Sequence, residues 1–268
     1  MASKTRYYSY AKTLGAIKTQ TSKLNIIKKI FGKKTESNLE SEKTMKPFKE
    51  VLNEIQSEIH KRLLKPNGYK KSGRTFNKIN EDGIIEVINF QSGQYQFENT
   101  IEIPGFRENL YGSFTLNIGI LVPELYYKDY PEEKEKKFYQ EYNCSIRTRI
   151  GSLINDGQDL WWNLNETHKE KVTNQILEYI ENQGMKWISK LNSREKIYRN
   201  WIELADKYES SLNAKLNIAK MKILNGEKDG NELFVEYYNE TKEGPHKKWL
   251  IKEAKKYNVK IKTAPNNA

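Results

Sequence analysis

The run Gly68-Tyr-Lys-Lys-Ser-Gly-Arg-Thr-Phe-Asn-Lys-Ile-Asn80 precedes Ile84-Ile-Glu-Val-Ile-Asn-Phe-Gln-Ser-Gly93, and Gly112-Ser-Phe-Thr-Leu-Asn-Ile-Gly-Ile-Leu-Val-Pro123 follows after a polar loop. β-Branched and aromatic residues between turn residues are typical of strands. The Asp-Gly pair in residues 80–83 predicts a hairpin turn. We therefore expect an antiparallel sheet with strands near 73–79, 84–91 and 113–122.

Two flanking segments complete this predicted domain. Upstream, apolar side chains from Phe48 to Leu64 recur every three or four residues, which predicts a one-sided amphipathic helix that covers the sheet. Downstream, residues 144–150 alternate with a period of two and predict a fourth strand. Its apolar face would consist of Cys144, Ile146, Thr148 and Ile150.

The remaining chain predicts helices. Apolar residues between 193 and 224 follow a near-heptad spacing, which predicts one helix of about 30 residues. It could pair with another helix of the same chain, with a partner, or with a second copy. The expected fold class is therefore α+β: a small antiparallel sheet of about four strands, an N-terminal amphipathic helix over it, and a C-terminal helical region. We expect a basic arm and polar linker in residues 1–44, an α+β domain in 45–165, and helices in 166–268.

Positive charge is concentrated at the two ends of the chain. The formal net charge is +11, yet residues 1–34 contain nine basic residues and no acid, and residues 245–262 contain seven lysines and one glutamate. Such ends can contact an anionic partner while the body does something unrelated. The predicted contacts are Lys18, Lys23, Lys28, Lys29, Lys33, Lys34, Lys247, Lys248, Lys252, Lys255 and Lys256.

The segment from Ile17 to Gly32 has an amphipathic pattern, and three interpretations of it stay open. It could be a helix packed on the body, a nucleic-acid-binding arm, or an interfacial membrane helix. No apolar run reaches the roughly 20 residues that a membrane span needs, and a single cysteine suits a reducing compartment. We therefore expect a cytoplasmic protein.

The motif series across the predicted domain resembles a known family. The Gly68 to Phe76 run, Asn89-Phe-Gln91, the strand from Phe114 to Ile120, residues 144–151 and Asp159-Leu-Trp-Trp162 occur in the order found in the bacterial family catalogued as domain of unknown function 4304. The resemblance covers roughly residues 45–165. It implies a fold, but that family has no established activity, so no catalytic residues are transferred.

A search for catalytic chemistry finds no specific motif. The three histidines are far apart in sequence, and neither a zinc-hydrolase spacing nor a phosphate-binding glycine loop is present. We therefore expect no cofactor, no metal and no catalytic residue. A metal-dependent nuclease is an alternative that would need acids such as Asp156, Asp159, Glu166 and Glu170 to converge.

The candidate binding residues lie on or beside the predicted strands. Arg147 and Arg149 share the polar face of the fourth strand, where they could bind an external anion or pair with Glu86 or Asp159. Of two adjacent tryptophans, one is expected in the core and the other at an interface or against the helical region. The full set comprises Arg147, Arg149, Gln91, Asn117, Trp161 and Trp162.

These observations favour a non-enzymatic interaction protein with a protein partner, for which a defence or toxin–antitoxin setting is suggested by analogy alone. The alternative is a nucleic-acid-associated protein that uses its basic ends. A membrane surface is the less favoured partner.

Overall fold

An antiparallel sheet forms the centre of the fold in the computed structural model, which describes residues 47–93, 110–154, 158–165, 167–208 (side chains to 204) and 213–262. The strand order is β1-β2-β3-β4-β5, and β6 pairs with the first residues of β4. The strands are β1 (Lys70–Ser72), β2 (Thr75–Ile79), β3 (Ile85–Ser92), β4 (Ser113–Leu121), β5 (Ile146–Arg149) and β6 (Trp162–Asn163).

The predicted hairpin turn connects β2 to β3. The side-chain oxygen of Asn80 accepts hydrogen bonds from the backbone N–H groups of Asp82 and Ile84, both at 3.1 Å. Gly83 has a φ of +74°, which glycine adopts without strain. The α+β class with an antiparallel sheet and C-terminal helices is confirmed.

One face of the sheet is covered by helices. Helix α1 (Phe48–Ile59) continues through a π-helical turn at His60–Leu64 and packs beside α4 (Lys169–Tyr179). A second π-helical turn, Ile180–Gly184, joins α4 to α5 (Met185–Ser189). The apolar core beneath them contains residues of both the predicted α+β domain, which was expected to end at position 165, and the helical region after it. Its sheet side chains include Phe76, Ile88, Phe90, Phe114, Leu116, Ile118, Ile120 and Ile146.

The predicted helix from 193 to 224 is wrong as one element. The structure has two helices here, α6 (Arg194–Tyr208) and α7 (Ala214–Leu224). Asn213, directly before α7, has a φ of −138° and a ψ of 36°, which are not helical values. The apolar stripe is buried within this chain, because Trp201 and Leu204 join the core of the sheet and Leu216 joins a second core. That second core lies among α7, α8 (Gly230–Glu240) and α9 (Pro245–Lys256).

Two further predictions need correction. The first strand begins at Thr75 and not at Gly73, because Gly73, with a φ of +57°, lies in the turn that joins it to the unpredicted strand β1. Cys144 does not share a face with Ile146: Cys144 packs against Val87 and Leu121 on the opposite side of the sheet. Cys144 lies before the first residue of β5, so the alternation of side chains along that strand does not determine the direction of Cys144.

Two short helical elements, α2 (Pro123–Asp129) and a 3₁₀ turn at Glu141–Asn143, lie near the sheet face opposite the helical layer. A third, α3 (Ile150–Ile154), contributes Ile150, Leu153 and Ile154 to the core beneath the helices. Within the described part of the chain, no helix has the length and hydropathy of a membrane span.

Candidate functional site

The two arginines of β5 project from the sheet face opposite the helical layer. In the antiparallel register, Arg147 lies opposite Gly119 and Arg149 lies opposite Asn117. The alternate residues, Ile146 and Thr148, are buried on the other face. The sequence-based assignment of the two arginines to one face is therefore confirmed, and the reason is the two-residue period of a strand.

Arg149 is held by two side chains from the segment that follows α3. Its guanidinium forms an ion pair with Asp159, and its central carbon lies 5.5 Å from the centre of the Trp161 ring. The indole N–H of Trp161 donates a 2.9 Å hydrogen bond to the same carboxylate. Internal pairing, which the sequence left open, thus accounts for the charge of Arg149.

Gly151 allows this segment to return beside β5. A Cβ atom at Gly151 would lie 2.5 Å from the backbone nitrogen of Leu160 and 2.8 Å from the carbonyl oxygen of Gln158. Any larger residue would push the backbone away and carry Asp159 with it. Sequence reasoning treated Gly151 only as a turn residue, although a glycine directly after a strand was the available signal.

Arg147 differs from Arg149 because its guanidinium has no hydrogen-bond or ion-pair partner in the described part of the chain. The residue is exposed. The Cys144 sulfur lies close to Gly119, the residue that pairs with Arg147, and the 3₁₀ turn that bears Tyr142 directly precedes Cys144 in the chain. Tyr142 is 67% exposed. We call Tyr142, Arg147, Arg149 and Trp161 the edge patch.

A row of polar side chains continues from the edge patch across β4, β3 and β2 on the same face of the sheet. Asn117 donates a 2.8 Å hydrogen bond to Gln91, and Asn89 donates a 2.9 Å hydrogen bond to Thr75. Asn117 is only 5% exposed, whereas Gln91 is partly exposed, so Gln91 is the one of this predicted pair that a partner could touch. The buried hydroxyl of Thr115 has no hydrogen-bond partner among the residues that the structure describes.

The adjacent tryptophans differ in burial, and the prediction that one of them lies in the core is confirmed. Trp162 is buried, stacks on Phe114 with ring centres 5.4 Å apart, and donates a 2.9 Å hydrogen bond to Gln175. Trp162 therefore belongs to the core, and Trp161 belongs to the edge patch.

A shallow pocket of about 370 Å³ lies on the side of Tyr142 that faces α2 and α7. Tyr126 and Tyr130 line it together with Tyr142, and Tyr130 is 49% exposed. The hydroxyl of Tyr126 donates to Glu133 and accepts a hydrogen bond from Lys136 at 2.8 Å. The edge patch is therefore bordered by further tyrosines.

The side chains that most often perform catalysis have structural roles. Cys144 is buried, and burial, reinforced by the charge of Glu141, raises the pKa of its thiol well above the ordinary value. The Nε2 atom of His60 lies 3.1 Å from the Tyr69 carbonyl oxygen, and that of His246 lies 3.1 Å from the Tyr237 hydroxyl. No group of three metal-ligating side chains occurs among the described residues.

The buried carboxylate Glu86 is also engaged within the fold. It accepts a 2.6 Å hydrogen bond from the Tyr69 hydroxyl and lies 3.5 Å from the Lys78 ammonium. Burial, followed by the charge of Glu86, raises the pKa of Tyr69. Glu86 is thus not the partner of Arg147 or Arg149 that the sequence allowed. The acids Asp156 and Glu166 lie outside the described residues.

The basic ends can be assessed only at the C-terminus, because the candidate lysines from Lys18 to Lys34 lie outside the described residues. In α9, Lys247 pairs with Glu243 at 2.9 Å and Lys256 pairs with Asp129 at 2.6 Å. The other three candidate lysines of α9 are exposed and have no ion-pair partner among the described residues. These are Lys248, Lys252 and Lys255.

Residues 59–190, just under half of the chain, match the family model described as domain of unknown function (DUF4304). This match confirms the resemblance seen in the motif series. No curated protein and no solved structure matches the chain. The edge patch lies inside the matched segment, whereas α6 to α9 lie outside it.

Proposed function

We propose that this chain is a non-enzymatic binding protein whose edge patch contacts a protein partner. The observation that carries the proposal is Arg147, which is exposed and has no hydrogen-bond or ion-pair partner among the described residues. The same patch contains the Arg149–Trp161 pair and the exposed Tyr142. Arginine, tryptophan and tyrosine are the residues most enriched at protein–protein hot spots. Tyr142 is 67% exposed, so its ring is accessible to a partner.

Preorganisation supports the same role. Asp159 and Trp161 hold Arg149 in one place, so little side-chain entropy would be lost when a partner binds. Arg147, by contrast, retains all its donors for a partner. Because one aspartate balances only one of the two arginines, the patch keeps a positive charge, and we expect a carboxylate of the partner to meet Arg147.

The local chemistry is more consistent with binding than with catalysis. The Cys144 thiol is buried and protonated, and His60 and His246 contact neighbouring backbone or aromatic groups. A surface that only binds a partner does not require a reactive thiol or imidazole.

The test is affinity capture from the native host with the full chain as bait. Arg147→Glu reverses the one unpaired charge of the edge patch and, being exposed, should leave the fold unchanged. The matched control is Arg199→Glu on α6, which changes charge equally at an exposed site distant in sequence from the patch. Eluates are treated with nuclease and compared by quantitative mass spectrometry.

We expect a protein that wild type and Arg199→Glu retain and that Arg147→Glu loses at least tenfold. Purified partner and bait should then reproduce the loss in a binding titration. Equal capture by all three baits, or loss of the retained protein after nuclease treatment, would contradict the proposal.

A further inference from the structure

Most of the apolar face of helix α9 is buried within the chain, although Trp249 is 38% exposed. Leu250, Ala254 and Tyr257 are at most 3% exposed and pack in the second core with residues of α7 and α8. The outward face of α9 is therefore the part that is available to a partner, and its charges decide what kind of partner fits.

The acid of α9 does not reach that outward face. Glu253 is the one acidic residue between Pro245 and Lys262. It is buried and lies 2.5 Å from the ammonium of Lys220, which α7 contributes. The negative charge of α9 is thus neutralised inside the fold, and the formally charged side chains left on the surface of the helix are lysines.

Ion pairing separates these lysines into two groups. Lys247 and Lys256 have carboxylate partners, as described above. Lys248, Lys252 and Lys255 are exposed, and no described acid pairs with them. Spacings of four and three residues put them in one row, with about 6 Å and 4.5 Å of helix rise between neighbours. We call these three residues the lysine stripe.

Local contacts within α9 do not explain the spacing of the lysine stripe. Like charges three or four residues apart repel each other on a helix surface. Positions three and four residues before and after each stripe lysine hold no acid that could offset this repulsion. Lys255 lies in the last turn, where a positive charge is favourable, but this does not account for Lys248, which lies in the first turns of the helix.

We infer that the lysine stripe binds the phosphate backbone of a nucleic acid, a function separate from the edge patch. A row of unpaired ammonium groups is the feature that gives sequence-independent phosphate attraction. A membrane surface fits less well, because an interfacial helix must insert its apolar face and α9 has buried that face in the protein. The binding releases counterions and is therefore strongly salt-dependent.

The experiment measures binding of the full chain to a fluorescein-labelled 20-base-pair DNA duplex by fluorescence anisotropy from 50 to 200 mM salt. The test variant replaces all three stripe lysines: Lys248→Gln, Lys252→Gln and Lys255→Gln. The matched control, with the same change in charge, is Lys49→Gln, Lys61→Gln and Lys65→Gln, which are exposed lysines on or just after α1 without ion pairs among the described residues.

Each phosphate contact contributes about 0.9 to the slope of log affinity against log salt, so the stripe variant should lose about 2.7 of the slope. The wild-type affinity should accordingly fall about 40-fold more than that of the stripe variant over this salt range. The control should keep the wild-type slope. Thermal unfolding should show that the stripe variant has a stability close to that of wild type, since glutamine and lysine favour helix about equally and the lost repulsion offsets the lost interaction of Lys255 with the helix C-terminus.

Three outcomes would overturn the inference: wild type does not bind the duplex, the stripe and control variants lose the same slope, or the stripe variant binds like wild type. A fourth arm uses vesicles that contain phosphatidylserine. Binding of wild type to these vesicles without binding to the duplex would replace the nucleic acid by a membrane surface and would also overturn it.

Discussion

The buried ion pair between Lys220 and Glu253 gives the sharpest test of how α9 is held. The two side chains are 4% and 11% exposed, and they connect α7 with α9. The Lys220 ammonium also lies 5.2 Å and 5.1 Å from the ring centres of Trp249 and Tyr257. Glu253 Oε2 has no well-directed hydrogen bond, so the pairing is mainly one of charge. We predict that Lys220→Met strongly destabilises the protein.

The expected cost is that of an uncompensated buried charge. Removing one member of a buried pair costs about 3–5 kcal/mol, because the remaining carboxylate stays out of water without a counter-charge. That is a large share of the roughly 5–15 kcal/mol by which a folded protein is stable. For a chain of this size, it corresponds to a fall in Tm of roughly 6–20 °C.

The matched control replaces both partners by apolar residues. In Lys220→Met with Glu253→Leu, no buried charge remains, and exchanging a buried pair for apolar side chains is often neutral or stabilising. We expect the double variant to lie within about 1 kcal/mol of wild type or above it. Urea titrations followed by far-UV circular dichroism and tryptophan fluorescence give the free energies of unfolding.

Two results would refute this reasoning. One is a loss below about 1 kcal/mol in Lys220→Met, which is the range of surface ion pairs. The other is a double variant as unstable as the sum of the two single variants, which would mean that the two charges act independently.

Three further predictions concern the sheet. Gly119→Ala should lower the free energy of unfolding by about 1–3 kcal/mol in urea titrations, because the new Cβ would lie 2.5 Å from the Cys144 sulfur; an unchanged midpoint would contradict the close contact. Trp162→Ala should cost about 3–5 kcal/mol and Trp161→Ala less than about 1 kcal/mol, since only the first is in the core; equal losses would count against that division. Burial raises the pKa of the Cys144 thiol in the folded state. At a pH above the thiol pKa of the unfolded state, deprotonation therefore stabilises only the unfolded state, and the free energy of unfolding falls as the pH rises. Between pH 8 and 10, wild type should therefore lose about 2 kcal/mol more than Cys144→Ala in its free energy of unfolding, and parallel pH profiles would exclude this linkage.

Short-range patterns were sufficient for much of the fold. The hairpin at Asn80–Gly83 was predictable because its turn residues lie next to each other in sequence. The direction of Arg147 and Arg149 was predictable because alternation along a strand is local. The strand β1 was missed because three polar residues, Lys70–Ser72, have no apolar alternation and are recognisable only by their pairing with β2.

Features that depend on distant contacts could not be read from the pattern. The break before α7 was hidden because the apolar spacing continues through it, and only packing shows that Ile218 faces the core of the sheet while Leu216 faces the second core. Cys144 was assigned to the wrong face because the alternating pattern does not show where a strand begins.

The sequence by itself determined the α+β class, the antiparallel sheet, the family of its central segment and the location of excess positive charge. Tertiary structure alone decided which charges remain available: Arg149 is paired with Asp159 and Arg147 is not, and Glu253 is buried against Lys220 while the lysine stripe is exposed. The physical reason is that secondary structure follows from neighbours in the chain. Charge neutralisation depends on distances of a few ångströms between residues that the chain places far apart.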